Sequence, residues 1–308
     1  MKRSVIIKEA LLVLTTIIWG LGFIAQSIGG EYLDAFSFNL LRNVVAFLVL
    51  LLICLIKRGI DRKKNTVVAN NKKNMWIGGS LIGLALAVAM TLQQIGINLE
   101  GAGKSGFITA LYIVFVPMLG LLFGRKINKL VLIAIVFSLT GLYLINTNSE
   151  GFNFGLGSVY LLGCALAYSV QIMLVDKFSK DIDVFTLSCL EFFFASIFLI
   201  PFALIFGSFN IDLIIKALPA ILFLGVCSSG IAYTLQVYAQ TEVNVNVACI
   251  IMALESVFSL IFGMIILSEK HGTIELLGCV CIFASVILSQ IKPKKREKKK
   301  RKNKTTKD

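Results

Sequence analysis

Long apolar stretches separated by short polar connections fill almost the whole chain. Most of the stretches have about 18 or more residues without a charge, and an α-helix of that length crosses the roughly 30 Å hydrocarbon core of a bilayer. The pattern predicts an all-α membrane protein with ten transmembrane helices, of which the fifth is the shortest. The predicted spans are Ala10–Ile28, Phe36–Ile56, Met75–Ile97, Gly103–Phe123, Leu130–Ile145, Gly155–Val175, Val184–Phe206, Leu218–Ala239, Val245–Leu267 and Ile274–Ile291.

The composition supports this interpretation. Of the 308 residues, 57% are apolar and only 15% are charged. The mean hydropathy of +0.87 is too high for a water-soluble domain. The connections between spans leave no room for a soluble catalytic domain, and only the basic segments 57–73 and 292–308 are polar over any length.

The positive charges are distributed asymmetrically across the predicted membrane. The chain has 30 lysines and arginines and a net charge of +13. All of these residues except Lys104, Lys216, Lys270 and Arg42 fall on the side of the N-terminus. By the positive-inside rule this predicts a multi-pass protein of the cytoplasmic membrane with both termini in the cytoplasm. The basic tail 292–308 is expected to lie near anionic membrane lipid, and nucleic acid is not expected as a partner.

The chain contains an internal repeat. Shifting the sequence by 143 residues aligns "TLQQIGINLEGAGKSGFITALYIVFVPMLG" with "TLQVYAQTEVNVNVACIIMALESVFSLIFG" without a gap, and a weaker match at a shift of 149 pairs Trp19 with Tyr168. The two copies are residues 10–145 and residues 155–291, each with five spans. Because five is odd, the second copy must enter the membrane inverted. Inverted repeats are typical of secondary transporters, whose substrate site lies between the copies near the midplane.

Several motifs in both copies resemble one known family. They are "WGLGF" in the first span, Arg42 in the second, "GKSGFITALYIVFVPMLG" in the fourth, "AYSVQ" in the sixth, "GIAYTLQVYAQ" in the eighth and "ALESVFSLIFGMIILSEK" in the ninth. Together they resemble the ten-helix EamA-type branch of the drug/metabolite transporter superfamily. The resemblance implies a carrier that moves a small organic metabolite, amino-acid-like or drug-like, by alternating access around a central cavity. It favours export, with uptake of a vitamin-like compound as the alternative. Ser256 stands where this family commonly has a proline.

Depth within the spans singles out three side chains. At about 1.5 Å per residue, Trp19, Tyr112 and Glu255 each lie near the middle of the membrane. Tyr112 and Glu255 also occupy equivalent positions in the two copies, so the inverted repeat brings both toward one axis. An ionisable group at this depth costs several kcal/mol unless it meets water or a partner. We therefore expect Glu255 to recognise a substrate cation or to couple transport to protons, with a structural hydrogen bond between helices as the alternative.

Arg42 and Glu191 are equivalent at the shift of 149, but inversion separates them by roughly 10 Å along the membrane normal. We therefore predict no ion pair between them. Arg42 is expected to meet an anionic group, either a substrate carboxylate or a cluster of carbonyl oxygens, with a packing role as the alternative. Glu191 is expected in a vestibule on the inner side.

Polar stripes recur on equivalent spans. Tyr233, Gln236 and Gln240 share one face of the eighth span, and Gln93 takes the equivalent place on the third. Similar faces are Thr15, Trp19 and Gln26 on the first span and Cys164, Tyr168 and Gln171 on the sixth. Either the stripes line a shared cavity or they form hydrogen bonds between helices. The residues predicted to bind substrate are Trp19, Arg42, Gln93, Tyr112, Tyr168, Gln171, Tyr233, Gln236 and Glu255.

Other functional classes find little support in the residues. "GAGKSG" at 101–106 lacks the first glycine of a phosphate-binding loop, because Asn98 stands there, and a transmembrane helix precedes it instead of a strand. The seven cysteines lie inside spans and the single histidine, His271, lies in a loop, so no metal or other cofactor is expected. No paired catalytic groups occur in the spans, so an enzyme is not expected. A sensor or scaffold that does not transport remains an alternative, and the oligomeric state stays open.

Overall fold

The computed structural model describes residues 3–63, 72–145, 155–266 and 272–291, with no side-chain description for 61–63. The linker 146–154, His271 and the basic tail 292–308 lie outside the described residues. Helices make up nearly all of the described chain. They are α1 Arg3–Gly30, α2 Ala35–Lys63, α3 Lys72–Glu100, α4 Ala102–Thr109, α5 Tyr112–Leu122, α6 Lys129–Ile145, α7 Leu156–Phe178, α8 Val184–Phe206, α9 Ile211–Leu222, a π-helical segment Phe223–Ala232, α10 Tyr233–Gln240, α11 Val245–Met252, α12 Leu254–Ile266 and α13 Thr273–Gln290.

The helices reproduce the ten predicted spans. In the described parts of the chain, nine helical stretches are long and apolar enough to cross a membrane. The tenth is the shorter apolar helix α6, which corresponds to the short fifth span. The eighth span begins at Ile211, seven residues before the predicted start, because Asn210 caps that helix by accepting from the backbone N–H groups of Asp212 and Leu213.

The fourth and ninth spans are broken, although the sequence predicted continuous helices there. In the fourth, α4 ends at Thr109 and α5 begins at Tyr112, with i→i−3 hydrogen bonds at the junction. In the ninth, the break falls at Ala253, whose C=O accepts from the N–H of Ser256 at 3.3 Å. These short bonds tighten the chain locally and interrupt the regular i→i−4 ladder. Because Ala110 and Ala253 are equivalent in the repeat, both copies break at the same place.

The eighth span changes its helical form where it passes α2. Pro219 lies inside α9 and removes one backbone donor, and the wider π-helical segment begins four residues later. Gly225 in this segment lets the backbone of α2 approach closely, because a Cβ there would lie 2.6 Å from Val45 and 2.9 Å from the carbonyl oxygen of Arg42. The glycine therefore helps to set where Arg42 sits.

The two sets of five spans pack against each other throughout. The most extensive contacts are α3 with α7 and α8, α2 with α8, α1 with α12, and α6 with α13, and each joins the first set to the second. Helix surfaces turned away from these contacts expose large apolar side chains such as Leu52, Leu122, Leu204 and Val280. An exposed apolar belt of this extent suits a hydrocarbon environment.

Ion pairs join the two sets at the face where α1 begins. Lys8 of α1 donates to Glu242 at 2.8 Å, and Arg125 donates to Asp176 at 2.7 Å. Lys57 pairs with Asp183 at the start of α8. In each case the first set supplies the cation and the second set supplies the carboxylate.

Candidate substrate cavity

A cavity lies between the two sets of helices, with an empty volume of about 500 Å³ that includes space open to solvent. All nine residues that the sequence predicted to bind substrate line it. Their number and their origin in both copies favour the shared-cavity interpretation of the polar stripes. The other lining residues are Gly22, Phe23, Gln26, Met90, Thr109, Ile172, Ser228 and Met252.

The helix breaks bring Tyr112 and Glu255 together in the cavity wall. Each residue lies in the first turn of the helix that follows its break, and the hydroxyl of Tyr112 donates to Glu255 Oε1 at 3.0 Å. Both side chains are buried, and the N-terminal end of α12 favours a carboxylate at this position. Ser256 contributes a second link, because its hydroxyl donates to the carbonyl oxygen of Gly106 at 3.3 Å. The break therefore places an ionisable group in the cavity wall.

A chain of hydroxyl and amide groups crosses the cavity wall from one copy to the other. The hydroxyl of Tyr233 donates to that of Tyr168 at 3.1 Å, and Tyr168 donates to Gln93 Oε1 at 3.2 Å. The amide nitrogen of Gln93 reaches Thr109 at 3.5 Å, the outer limit for a hydrogen bond. The ring of Trp19 packs on Tyr233 with centroids 4.9 Å apart. These aromatic and amide groups form a wall that combines apolar faces with hydrogen-bonding edges.

Arg42 carries a buried positive charge in the same wall. Its side chain is only 2% exposed, and its Nη1 donates to Gln26 Oε1 at 2.9 Å. Among the residues that the structure describes, Arg42 takes part in no ion pair and its Nε has no hydrogen-bond partner. As predicted, it does not pair with Glu191. A buried guanidinium without a counterion is suited to an anionic ligand.

Three glutamines form a second string of hydrogen bonds. Gln171 donates to Glu191 Oε1 at 2.7 Å, and Gln236 donates to Gln171 Oε1 at 3.4 Å and to Gln240 Oε1 at 3.2 Å. Gln240 in turn donates to the backbone oxygen of Ile172 at 3.2 Å. Gln171 and Gln236 line the cavity, whereas Gln240 lies behind them.

The expectation that Glu191 lies in an inner vestibule is wrong. Its side chain is 0% exposed and lies outside the cavity wall, behind Gln171. The depth estimate placed the residue along the membrane normal but gave no information on which neighbour covers it. The side chain meets Gln171 of α7, and α3 packs closely on the backbone of the same residue, because a Cβ at Gly83 would lie 2.7 Å from its carbonyl oxygen.

Thr109 and Met252 are among the wall residues that sequence reasoning missed and that the repeat could have identified. Thr109 and Met252 are equivalent at the shift of 143, and each immediately precedes a helix break. Reading the alignment for positions beside Ala110 and Ala253 would have included both. Ser228 had no such signal, since its place in the wall depends on the π-helical segment.

The cavity wall contains buried polar atoms that can serve as binding groups. Within the described residues, no three histidine, cysteine, aspartate or glutamate side chains are grouped closely enough to hold a metal ion. In the same part of the chain, Trp19 Nε1, Arg42 Nε and Gln236 Oε1 are buried without a hydrogen-bond partner. Unpaired polar atoms in a cavity wall are costly and are the groups that a polar solute satisfies.

Comparison with known proteins agrees with this architecture. Over 91% of its length the chain is 26% identical to an uncharacterized transporter of Archaeoglobus fulgidus, covering 85% of that protein. It is 22% identical to the uncharacterized transporter YoaV of Bacillus subtilis, with 89% of this chain and 93% of that protein covered. A solved crystal structure of a protein at 15% identity has the same fold, with a TM-score of 0.70 over 92% of this chain and 96% of the other.

One family accounts for both halves of the chain. The EamA-like transporter family matches residues 6–147 and again residues 155–290. This confirms the predicted resemblance and the predicted all-α membrane fold built from two inverted repeats of five helices. The transporter names of the relatives support a transport function. The chain belongs to the EamA-like transporter family.

Proposed function

We propose that this protein is a secondary carrier that exports a small organic metabolite with a carboxylate group. The solute occupies the cavity between the two copies, which alternately opens to either side of the membrane. The observation that carries the proposal is the charge of Arg42, which is buried in the cavity wall and has no ion-pair partner among the described residues. A carboxylate that forms two parallel hydrogen bonds with the guanidinium would neutralise this charge.

The proposal includes an orientation. The protein lies in the cytoplasmic membrane with both termini in the cytoplasm, supported by the concentration of lysines and arginines on one side of the spans. Anionic lipid is the partner of the basic segments. Glu255 is the group that couples solute movement to protons, supported by its place in the cavity wall and its bond to Tyr112 across the two copies.

The proposal is tested with purified protein and a panel of small carboxylic acids, each paired with its uncharged primary amide. A ligand that binds only the folded state raises the apparent melting temperature. We expect acids, and not their amides, to stabilise the protein. Flux of the best labelled acid is then measured in proteoliposomes loaded on either side.

Two variants give the test its specificity. Arg42→Gln should lower the affinity for the acid by at least about tenfold, because a desolvated charge-assisted hydrogen bond is lost. Arg58→Gln removes an exposed arginine of the same helix outside the cavity and should leave affinity and flux unchanged. Equal binding of acids and amides, or full flux in Arg42→Gln, would show that the cavity does not bind a carboxylate through Arg42. Binding without flux would support a sensor instead.

A further inference from the structure

Two cysteines from different copies of the repeat meet where α2 packs on α8. Cys54 belongs to α2 and is half-buried, and Cys189 belongs to α8 and is buried. Both are free thiols, and they lie within hydrogen-bonding reach of each other. Neither is among the described residues that line the solute cavity. Two adjacent thiols can be joined by oxidation, which a single buried thiol cannot undergo alone.

Contacts on either side of the pair fix its place. Phe47 of α2 packs on Phe193 of α8 with ring centroids 5.3 Å apart. Nearer the end of the span, Lys57 of α2 pairs with Asp183 of α8. The two helices are therefore antiparallel, and each cysteine lies between these two contacts on its own helix. The packing of α2 on α8 holds both thiols within the same short stretch of the bundle.

The direction of the side chains brings the two sulfur atoms toward each other. Cys54 lies three residues before Lys57 on α2. Cys189 lies six residues after Asp183 on α8, so the two Cα atoms differ by about 4.5 Å along the helix axes. Each Cα–Cβ bond tilts toward the N-terminus of its own helix. Because the helices are antiparallel, the tilts of the two cysteines point toward each other and reduce this difference.

The repeat carries the thiol pair at one face only. At the shift of 149 residues, the positions equivalent to Cys189 and Cys54 are Leu40 and Ala203, and neither has a thiol. A covalent link between α2 and α8 is therefore possible on the side of the Lys57 ion pair but not at the equivalent place on the other side. Such a link would act on one of the two faces that open alternately in the proposed carrier.

The position of the pair suits a temporary modification. In the proposed orientation this face lies in the cytoplasm, where thiols are kept reduced and disulfides are transient. Free thiols are thus the resting state, and a disulfide forms when an oxidant is present. Cys54 is the more exposed of the two and lies about one helical turn from Lys57, so an oxidant reaches its sulfur first.

We propose that Cys54 and Cys189 form a redox modification site, at which hydrogen peroxide joins the two thiols into a disulfide that holds this face of the bundle closed. The Cys54 sulfur attacks one peroxide oxygen, the O–O bond breaks, and water leaves as a sulfenic acid forms. The Cys189 sulfur then attacks the Cys54 sulfur, the S–O bond breaks, and the hydroxyl group leaves with the thiol proton as a second water. The two thiols are oxidised to one disulfide, and one peroxide is reduced to two waters.

The disulfide itself requires no solute, whereas its effect on transport rests on the proposed function. The full chain in proteoliposomes is treated with hydrogen peroxide, and its remaining thiols are labelled with a maleimide after denaturation. We expect two fewer labelled thiols than in the untreated protein, and a peptide pair joined through Cys54 and Cys189 in mass spectrometry. Dithiothreitol should restore both labels, which separates the disulfide from oxidised methionine.

Cys54→Ser is the decisive variant, because it keeps the size of the side chain and removes one of the two sulfur atoms. It should yield no joined peptides. Cys279→Ser is the matched control, since Cys279 is a half-buried cysteine of α13, and it should form the disulfide as the wild-type protein does. If Cys54→Ser does not fold, Cys189→Ala removes the other sulfur and should give the same result.

Closure of the face is measured in two ways. Flux of the best labelled acid should fall by at least about tenfold after oxidation and recover with dithiothreitol, because the copies can no longer separate at this face. Oxidation should leave flux unchanged in Cys54→Ser. Backbone hydrogen exchange in the first turn of α8 needs no solute and should become slower in the oxidised wild-type protein.

The outcomes separate this inference from the proposed function. Peroxide treatment that leaves Cys54 and Cys189 unjoined in the wild-type protein overturns the modification site. A disulfide that changes neither flux nor hydrogen exchange overturns the closure of this face. If the reduced protein transports no acid, the carrier proposal is overturned, while the joined peptides and the hydrogen exchange still decide whether the site exists and whether it closes the face.

Discussion

At the scale of single residues, three buried ionisable groups lie in the cavity wall or directly behind it, each bonded to one neutral partner. Arg42 is bonded to Gln26, Glu255 to Tyr112, and Glu191 to Gln171, at distances of 2.7 to 3.0 Å. Neutral partners reduce the cost of burial without cancelling the charge. Each group therefore remains able to respond to a solute or a proton.

Glu255 provides the prediction at this scale. Glu255→Gln keeps an oxygen that can accept from Tyr112, so the protein should fold with its central hydrogen bond intact. It removes the group that can exchange a proton, and we expect transport to cease or to lose its dependence on pH. Flux in proteoliposomes across a series of pH values measures both the rate of transport and its dependence on pH.

Tyr112→Phe is the companion variant, because it removes the hydrogen bond but keeps the carboxyl group. Wild-type flux at every pH in Glu255→Gln would remove Glu255 from the mechanism.

The residues of the wall could be predicted from sequence because their positions follow from helical periodicity and from the repeat. Tyr112 and Glu255 are equivalent in the alignment, and inversion brings equivalent midplane positions to one axis, where the structure joins them. The environment of Glu191 could not be predicted, because it depends on how α3 and α7 pack against α8. Periodicity locates a residue on a face of its own helix but does not specify the distance to the next helix.

At the scale of elements, the breaks at Ala110 and Ala253 shape the site more than any intact helix does. Neither junction contains a glycine or a proline, so local signals in the sequence predicted unbroken spans. The family resemblance implies a proline where Ser256 stands, yet the chain breaks here without one. The occurrence of the same break in both copies indicates that packing of the whole bundle imposes it, which propensity alone does not reveal.

Close packing of α3 on α8 gives a prediction for these elements. Gly83→Ala introduces a Cβ 2.7 Å from the carbonyl oxygen of Glu191 and 2.9 Å from the backbone nitrogen of Ala195, so the helices must separate. We expect a loss of about 1–3 kcal/mol in the free energy of unfolding. Gly59→Ala is the control, since no atom lies within 4 Å of a Cβ there and alanine favours a helix. Unfolding in detergent measures both variants, and equal stability of the two would contradict close packing at Gly83.

At the scale of the whole molecule, the two faces of the bundle are joined by different chemistry. At the face where α1 begins, three ion pairs connect the copies through Lys8, Lys57 and Arg125. At the other face, Glu100 accepts from the backbone nitrogen and the hydroxyl of Ser158 at 3.0 and 3.1 Å. Contacts between the copies at the first face should therefore depend more strongly on salt and pH.

Asp183 sets the direction of the pH effect. Burial acts to raise the pKa of its carboxyl group, but hydrogen bonds from Lys57 and from the backbone of Thr186 outweigh burial and hold the pKa below its ordinary value. A lowered pKa in the folded state means that the pair contributes fully above the ordinary pKa of an aspartate. The contribution is lost as the pH falls through the lowered value, so acidification should loosen this face.

Neutralising two of the three carboxylates tests whether the ion pairs hold this face closed. Asp176 and Glu242 bind Arg125 and Lys8 across the copies, so the double variant Asp176→Asn, Glu242→Gln replaces two charge pairs by weaker neutral contacts. Each pair joins one buried and one exposed side chain, and losing both pairs should shift the population toward a conformation open at this face. Backbone hydrogen exchange should rise in the first turns of α1 and the last turn of α7 and stay constant near Ser158. Lys180→Gln is the control, because it removes only the partner of Asp176 in the turn that follows α7, within the same set of helices. Exchange that is unchanged in the double variant, or raised equally at both faces, would show that these ion pairs do not control opening.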